Sequence, residues 1–160
     1  MMHDTHVLCL RETWHEDSDA ISIKKLRADG LQVLEHSRSI QKPAKTEDCT
    51  SFINHGGVVI LAPTNLKLEK VQLRSVPKTF QHLCARVTSR GASCIVVLLY
   101  RSGSQPVSTL FLEEQKAILE QVARLLIPIV VCGGTNVWLD RQEDVWTIRF
   151  TDMLTSFDLE

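Results

Sequence analysis

Leu8-Cys9-Leu10-Arg11-Glu12-Thr13-Trp14-His15 and Val130-Val131-Cys132-Gly133-Gly134-Thr135-Asn136-Val137 are the two stretches on which the fold turns. In each, an apolar run suited to a buried strand stops at a residue able to handle a metal ion or a phosphate. Glu12 offers a hard carboxylate that suits magnesium, and Asn136 offers an amide that holds a phosphate oxygen without adding negative charge.

Working outward, further strand-like runs occur at Leu31 to Glu35, Gly57 to Pro63, Leu83 to Thr88 and Ser93 to Tyr100, with weaker ones at Leu66 to Leu73 and Pro128 to Cys132. The first strand is read as His6 to Leu10. Several of these runs are continuous in Val, Ile and Leu, as central strands covered on both faces require, whereas His82 to Val87 alternates imperfectly and is placed near an edge. Ser89-Arg90-Gly91 between two strand runs predicts a hairpin with Gly supplying a positive φ, and Asn54-His55-Gly56-Gly57 carries turn chemistry.

One strong helix is predicted over Thr109 to Leu126, because Phe111, Ile118, Val122 and Leu125 fall on one stripe. Ser108 or Thr109 caps its start, Glu113 and Glu114 suit the positive end of its dipole, and Pro128 ends it. A second is predicted over Asp144 to Ser156 on Val145, Ile148, Phe150 and Met153. A shorter one covers Ile21 to Ala28 and stops at Gly30. Helices separated by runs of strand imply helices packed on a sheet. Ser39 to Phe52 reads as a mobile surface loop.

With 160 residues and 44% hydrophobic content, the chain suits one globular domain over residues 1–160 with a core of its own. A formal net charge of -1 gives no electrostatic case for wrapping nucleic acid. The five cysteines, Cys9, Cys49, Cys84, Cys94 and Cys132, form no Cys-x-x-Cys pair and read as reduced, mostly buried thiols. His3, His6 and His15 lack the spacing of a zinc hydrolase. Cys132-Gly133-Gly134-Thr135 lacks the end of a phosphate-binding P-loop and reads as a tight turn. No run has the length of a signal-peptide core or a membrane span, so a cytoplasmic or nuclear protein is expected. Trp14, Trp138 and Trp146 offer stacking surfaces for bases, but aromatics at loop edges more often complete a core.

The two opening stretches resemble the Gln-Glu-Thr-like and Gly-Asp-x-Asn segments of the endonuclease/exonuclease/phosphatase superfamily. Their flanks narrow the resemblance. Glu12 to Asp19, Leu26-Arg27-Ala28-Asp29-Gly30, Leu99-Tyr100-Arg101 and Asn136-Val137-Trp138-Leu139-Asp140 are similar to the endonuclease domain of LINE-type (non-LTR) retrotransposon polyproteins. The resemblance covers nearly the whole chain. It implies an α/β (α+β) fold, a DNase-I-like layered sandwich of mixed and antiparallel β-sheets flanked by helices. It also implies Mg2+ as cofactor, DNA as ancestral partner, Glu12 as metal ligand, and Tyr100 and Asn136 as catalytic residues that hold phosphate.

The departures matter as much. Gly134 stands where the family carries an Asp that orients the attacking water, and general acid-base help of that kind is worth ~100-fold to 10,000-fold. An upstream Asn strand and a late Ser-Asp-His segment have no counterpart, so a fold incomplete at both ends is expected, with uncovered sheet available for self-association. The implied function is therefore a remnant of a metal-dependent DNA endonuclease domain, catalytically impaired or inactive. The alternative is a non-enzymatic binding module that keeps the fold.

Overall fold

A computed structural model describes residues 7–15, 19–37 and 56–159 of the chain. The expected Ser39 to Phe52 loop lies outside the described residues, as do Cys49, His3, His6 and the first half of the Asn54 to Gly57 turn.

Ten elements follow one another along the chain: β1 (Leu8–Arg11), α1 (Ile21–Ala28), β2 (Leu31–His36), β3 (Val58–Pro63), β4 (Lys67–Lys70), β5 (Gln81–Ser89), β6 (Ala92–Tyr100), α2 (Thr109–Ala123), β7 (Ile129–Gly134) and α3 (Val145–Thr155). They build two sheets. The first has the order β1-β3-β2, and the second β4-β5-β6-β7. All pairings are antiparallel except β6 with β7, which α2 joins as a crossover. The expected mixed and antiparallel sheets flanked by helices are thus present.

The continuous apolar strands are explained by the layering. Val58, Ile60 and Ala62 of β3 face Leu83, Ala85 and Val87 of β5 and Val96 and Leu98 of β6 in a core between the sheets. The alternate residues face outward. Val59 and Leu61 pack on Ile23 of α1, and Ile95, Val97 and Leu99 pack on Phe111, Ile118 and Val122 of α2 and Phe150 of α3. Four layers result: α1, the first sheet, the second sheet, then α2 with α3. Strands covered on both faces need apolar residues at every position, which is why β3 and β6 show no alternation.

Local chemistry fits these elements. Ser108 caps α2 by accepting from the Phe111 N–H, and Asp144 caps α3 by accepting from the Trp146 and Thr147 N–H groups. Arg90 and Gly91, at φ of 48° and 84°, make the two-residue turn that joins β5 to β6. β5 lies one strand in from the edge strand β4 and is paired on both sides.

Three details differ from the sequence reading. α2 stops at Ala123, short of Leu126, so Leu125 is not part of the buried stripe; Gln115 takes a place on it instead. Glu114 lies beyond the first turn and accepts from the backbone N–H groups of Lys78 and Thr79 and from the Thr79 hydroxyl, which lowers its pKa although partial burial opposes this. On α3, Val145 and Ile148 are exposed, and Thr147 and Phe150 are the buried residues. The stripe there is set by the cap at Asp144, which turns Thr147 inward to donate to the Trp138 carbonyl. Among the described cysteines only Cys84 is fully buried.

Candidate functional site

The strands that carry the candidate residues end at one rim of the sandwich. Arg11, the last residue of β1, pairs with Val58 at the start of β3, and His36, the last of β2, pairs with the same residue. In the other sheet Tyr100 ends β6 between Gln81 at the start of β5 and Gly134 at the end of β7. The Gly57 N–H donates to Gln81 Oε1 at 2.8 Å, which ties the two sheets together at this end. Glu12 follows Arg11, and Asn136 follows Gly134 by two residues.

On the β6/β7 side, the organiser is Arg101, only 3% exposed. Its guanidinium donates to the carbonyls of Thr135 (2.6 Å), Asn136 (2.8 Å), Ser102 and Gln105, and lies 5.3 Å over the Phe111 ring. Burial lowers its pKa from the ordinary arginine value. Five donors in a fixed fork suit the job of gathering carbonyls from two loops. Sequence reading gave Arg101 as the partner of Tyr100 and, in the binding-module alternative, as part of a contact surface with Tyr100, Asn136 and Trp138; its burial instead follows from contacts between loops far apart in the chain.

Asn136 adopts φ 52°, a left-handed conformation that Asn tolerates better than most residues. Its amide nitrogen donates to the Arg101 carbonyl at 2.6 Å. One amide hydrogen is therefore spent on holding the loop. Tyr100 is 8% exposed and packs in the core between the sheets, and it lines a cleft of about 330 Å³ with His36, Lys78, Gln81 and Ser102.

The β1 side is built differently. Glu12, at φ 55°, is exposed, and its carboxylate lies 3.6 Å from the Arg11 guanidinium. Arg11 reaches across to β7. A Cβ added at Gly134 would stand 2.1 Å from Arg11 Nη1, so the space of a side chain at 134 is filled by a guanidinium. Three residues after Glu12, His15 is buried; its Nδ1 is bonded to Thr13 Oγ1 (2.6 Å) and its Nε2 to Glu35 Oε2 (2.9 Å), which fixes the segment after β1 against β2. Gly57, at φ 93°, makes room, because a Cβ there would come within 2.5 Å of Thr13 Oγ1. Near the cleft, burial chiefly, with His36 and Lys70 beside it, pushes the His82 pKa down to about 4. Burial and Lys70 lower that of His36 as well, against the opposing pull of Glu35.

These donors do not fit a magnesium ion. Among the described residues, Glu12 is the lone carboxylate offered at the ends of β1 and β7, and a guanidinium already faces it. A divalent ion brought to the same carboxylate meets that cation at a repulsion on the order of 2 kcal/mol even at the dielectric of bulk water, about a 30-fold loss of affinity. Among the described residues, no group of three or more His, Cys, Asp or Glu side chains is arranged to hold a metal.

The tryptophans stand further out than expected. Trp14 and Trp138 are 54% and 64% exposed, and Trp146 is half-buried. Arg141 lies 4.8 Å over Trp138, and Arg149 lies 5.5 Å over Trp146.

No protein-family profile and no curated protein sequence matches the chain. Solved structures do. The human Nocturnin catalytic domain with bound sulfate matches at a TM-score of 0.58 and 18% identity, over 84% of this chain and 52% of that one. TDP2 from D. rerio, complexed with a single-strand DNA product, matches at 0.54 and 14%, over 96% and 52%. The 3′ phosphatase NExo from Neisseria, bound to a product DNA hairpin, matches at 0.54 and 16%, over 94% and 60%. The chain thus spans between half and three fifths of the length of each. These neighbours are members of the endonuclease/exonuclease/phosphatase superfamily, and the layering of α1, two sheets, and α2 with α3 is the DNase-I-like sandwich that they share.

Proposed function

We propose that the chain is a remnant of a metal-dependent DNA endonuclease domain of a retrotransposon, with its catalytic centre disabled. The single observation that carries this reading is the Arg11 guanidinium lying in the space that a carboxylate at position 134 would need. In such a centre a metal ion neutralises the developing charge on the phosphate and a carboxylate orients the attacking water. Here the Arg11 guanidinium takes the place of the water-orienting carboxylate and faces Glu12. What remains is the phosphate-holding frame: Asn136, gripped by Arg101, and Tyr100 at the mouth of the cleft. DNA is the ancestral partner in this reading, and the cell interior, cytoplasm or nucleus, its location. Among the described residues no helix is long and apolar enough to cross a membrane.

The second reading, a binding module without catalysis, is favoured by the completeness of that same frame. Arg101 holds four carbonyls in place, and Trp138 next to Asn136 stays open to solvent.

Supercoiled-plasmid nicking in magnesium tests the proposal. We expect no nicking above buffer. Nicking by the wild type that Glu12→Ala abolishes would show an active nuclease and overturn it. Retained, salt-dependent binding of single-stranded DNA without cleavage would favour the binding module.

A further inference from the structure

β1 and β7 are edge strands of different sheets, and they run beside each other across the sandwich. They meet at one point already described, where the Arg11 side chain lies against Gly134. Side chains on a strand return to the same face every second residue. Two residues back from that contact on both strands stand Cys9 and Cys132. Both are partly buried against the core between the sheets, and neither is in a disulfide.

We propose that Cys9 and Cys132 form a redox-sensitive pair that closes into a disulfide between the two sheets, directly beneath the rim that carries Glu12 and Asn136. The division of labour between the thiols supports this. The two thiols lie within hydrogen-bonding reach of each other, and this contact favours the thiolate at Cys9 despite partial burial while it raises the pKa of Cys132. The thiolate is the reactive form, so Cys9 is the attacking sulfur and Cys132 the resolving one. Cys84 is not a competitor, since burial pushes its thiol up to about 12.

With a peroxide as oxidant, the Cys9 thiolate attacks one peroxide oxygen. An S–O bond forms, the O–O bond breaks, and the departing hydroxide takes a proton to leave as water. Cys132 then attacks the sulfenic sulfur; the S–S bond forms, the S–O bond breaks, and the Cys132 proton leaves with the hydroxyl as a second water. Two thiols are oxidised by two electrons, and one peroxide is reduced to two waters.

The bond would close most of the chain into a loop and pin the edge of one sheet to the edge of the other. A cross-link over so long a loop should raise Tm by about 5–15 °C in a chain of this size. The experiment treats the full chain with equimolar hydrogen peroxide, digests it without reductant, and maps the linked peptides by mass spectrometry. We expect a Cys9–Cys132 peptide pair, a mass lower by two hydrogen atoms, and a Tm rise reversed by dithiothreitol. Cys94→Ala should keep the cross-link, and Cys9→Ser and Cys132→Ser should each lose it. Oxidised chain in which Cys9 and Cys132 stay free, are over-oxidised singly, or pair with other cysteines would overturn the proposal. Mapping on the wild type decides the question even where a serine variant folds poorly.

Discussion

The two halves of the rim each contain an arginine, and the arginines do opposite things. Arg101, on the β6/β7 half, is buried and donates to four backbone carbonyls, so it works as part of the framework. Arg11, on the β1 half, is half exposed and meets one half-exposed carboxylate and a glycine. A buried cation is costly to desolvate and is tolerated where hydrogen bonds such as these repay the cost. A surface ion pair is worth about 0–1 kcal/mol, so Arg11 is held loosely and acts through its charge. One half of the rim therefore sets geometry, and the other sets electrostatics.

The largest expected effect breaks the framework half. Arg101→Met keeps the packing on Phe111 but leaves partly buried carbonyls of both loops without their donor, and we expect a loss of about 2–3 kcal/mol in urea unfolding. A loss below about 1 kcal/mol would mean that the carbonyls find water and that Arg101 is no keystone.

The same logic is sharpened by a buried polar group of the opposite kind. Gln115 on α2 is fully buried, and among the described residues neither its amide nitrogen nor its oxygen has a hydrogen-bond partner. Gln115→Met should therefore stabilise the protein by about 1–2 kcal/mol, since an apolar group of similar shape removes two unmet polar atoms. Destabilisation would show that the amide is served in solution.

A third test uses pH at the cleft between the halves. The His82 pKa of about 4 in the folded state lies below its unfolded value near 6.5, so the unfolded chain binds the extra proton between them. The stability tied to neutral His82 is complete above about pH 6.5 and is lost as pH falls toward 4. Because the ring is partly open to solvent, the difference should be on the order of 1 kcal/mol, and His82→Phe should flatten it in melts at the two ends of that window.

The smallest stability change carries the largest functional contrast. Arg11→Ala should shift stability by less than about 1 kcal/mol. Gly134→Asp alone should give no magnesium affinity, because its carboxylate would meet the Arg11 guanidinium. The double variant Arg11→Ala with Gly134→Asp frees two carboxylates, and calorimetry should then detect Mg2+ binding. Binding by Gly134→Asp alone would show that Arg11 does not block the site. Nicking is expected in neither case, as groups that act as a unit are strongly non-additive.

Most of the fold was legible because strand runs, caps and turn residues are local signals. All seven described strands and three helices fall on the runs that show them, and Ile21–Ala28 is matched at both ends. Helix ends at Ala123 and the burial of Thr147 were missed, since both depend on what the next layer offers. The candidate residues Glu12, Tyr100 and Asn136 were proposed from a family resemblance and their places at strand ends, and those places are as read. Arg11 over Gly134 was not, because a contact between strands so far apart in sequence leaves no spacing to read. Two of the carbonyls that Arg101 holds, those of Thr135 and Asn136, were hidden for the same reason.

β1 also has a bearing on when the rim exists at all. This strand has only four residues, and its partners β3 and β7 lie far down the chain, whereas β5, β6, α2 and β7 are consecutive. Loop closure makes distant partners late to meet, so β1 docks after the β5–β7 unit has formed. Being a short edge, it is also the first to let go, and its amides should exchange with solvent in openings that leave β5 and β6 protected. That half of the rim should then assemble last and open first, leaving Asn136 in place while Glu12 is adrift.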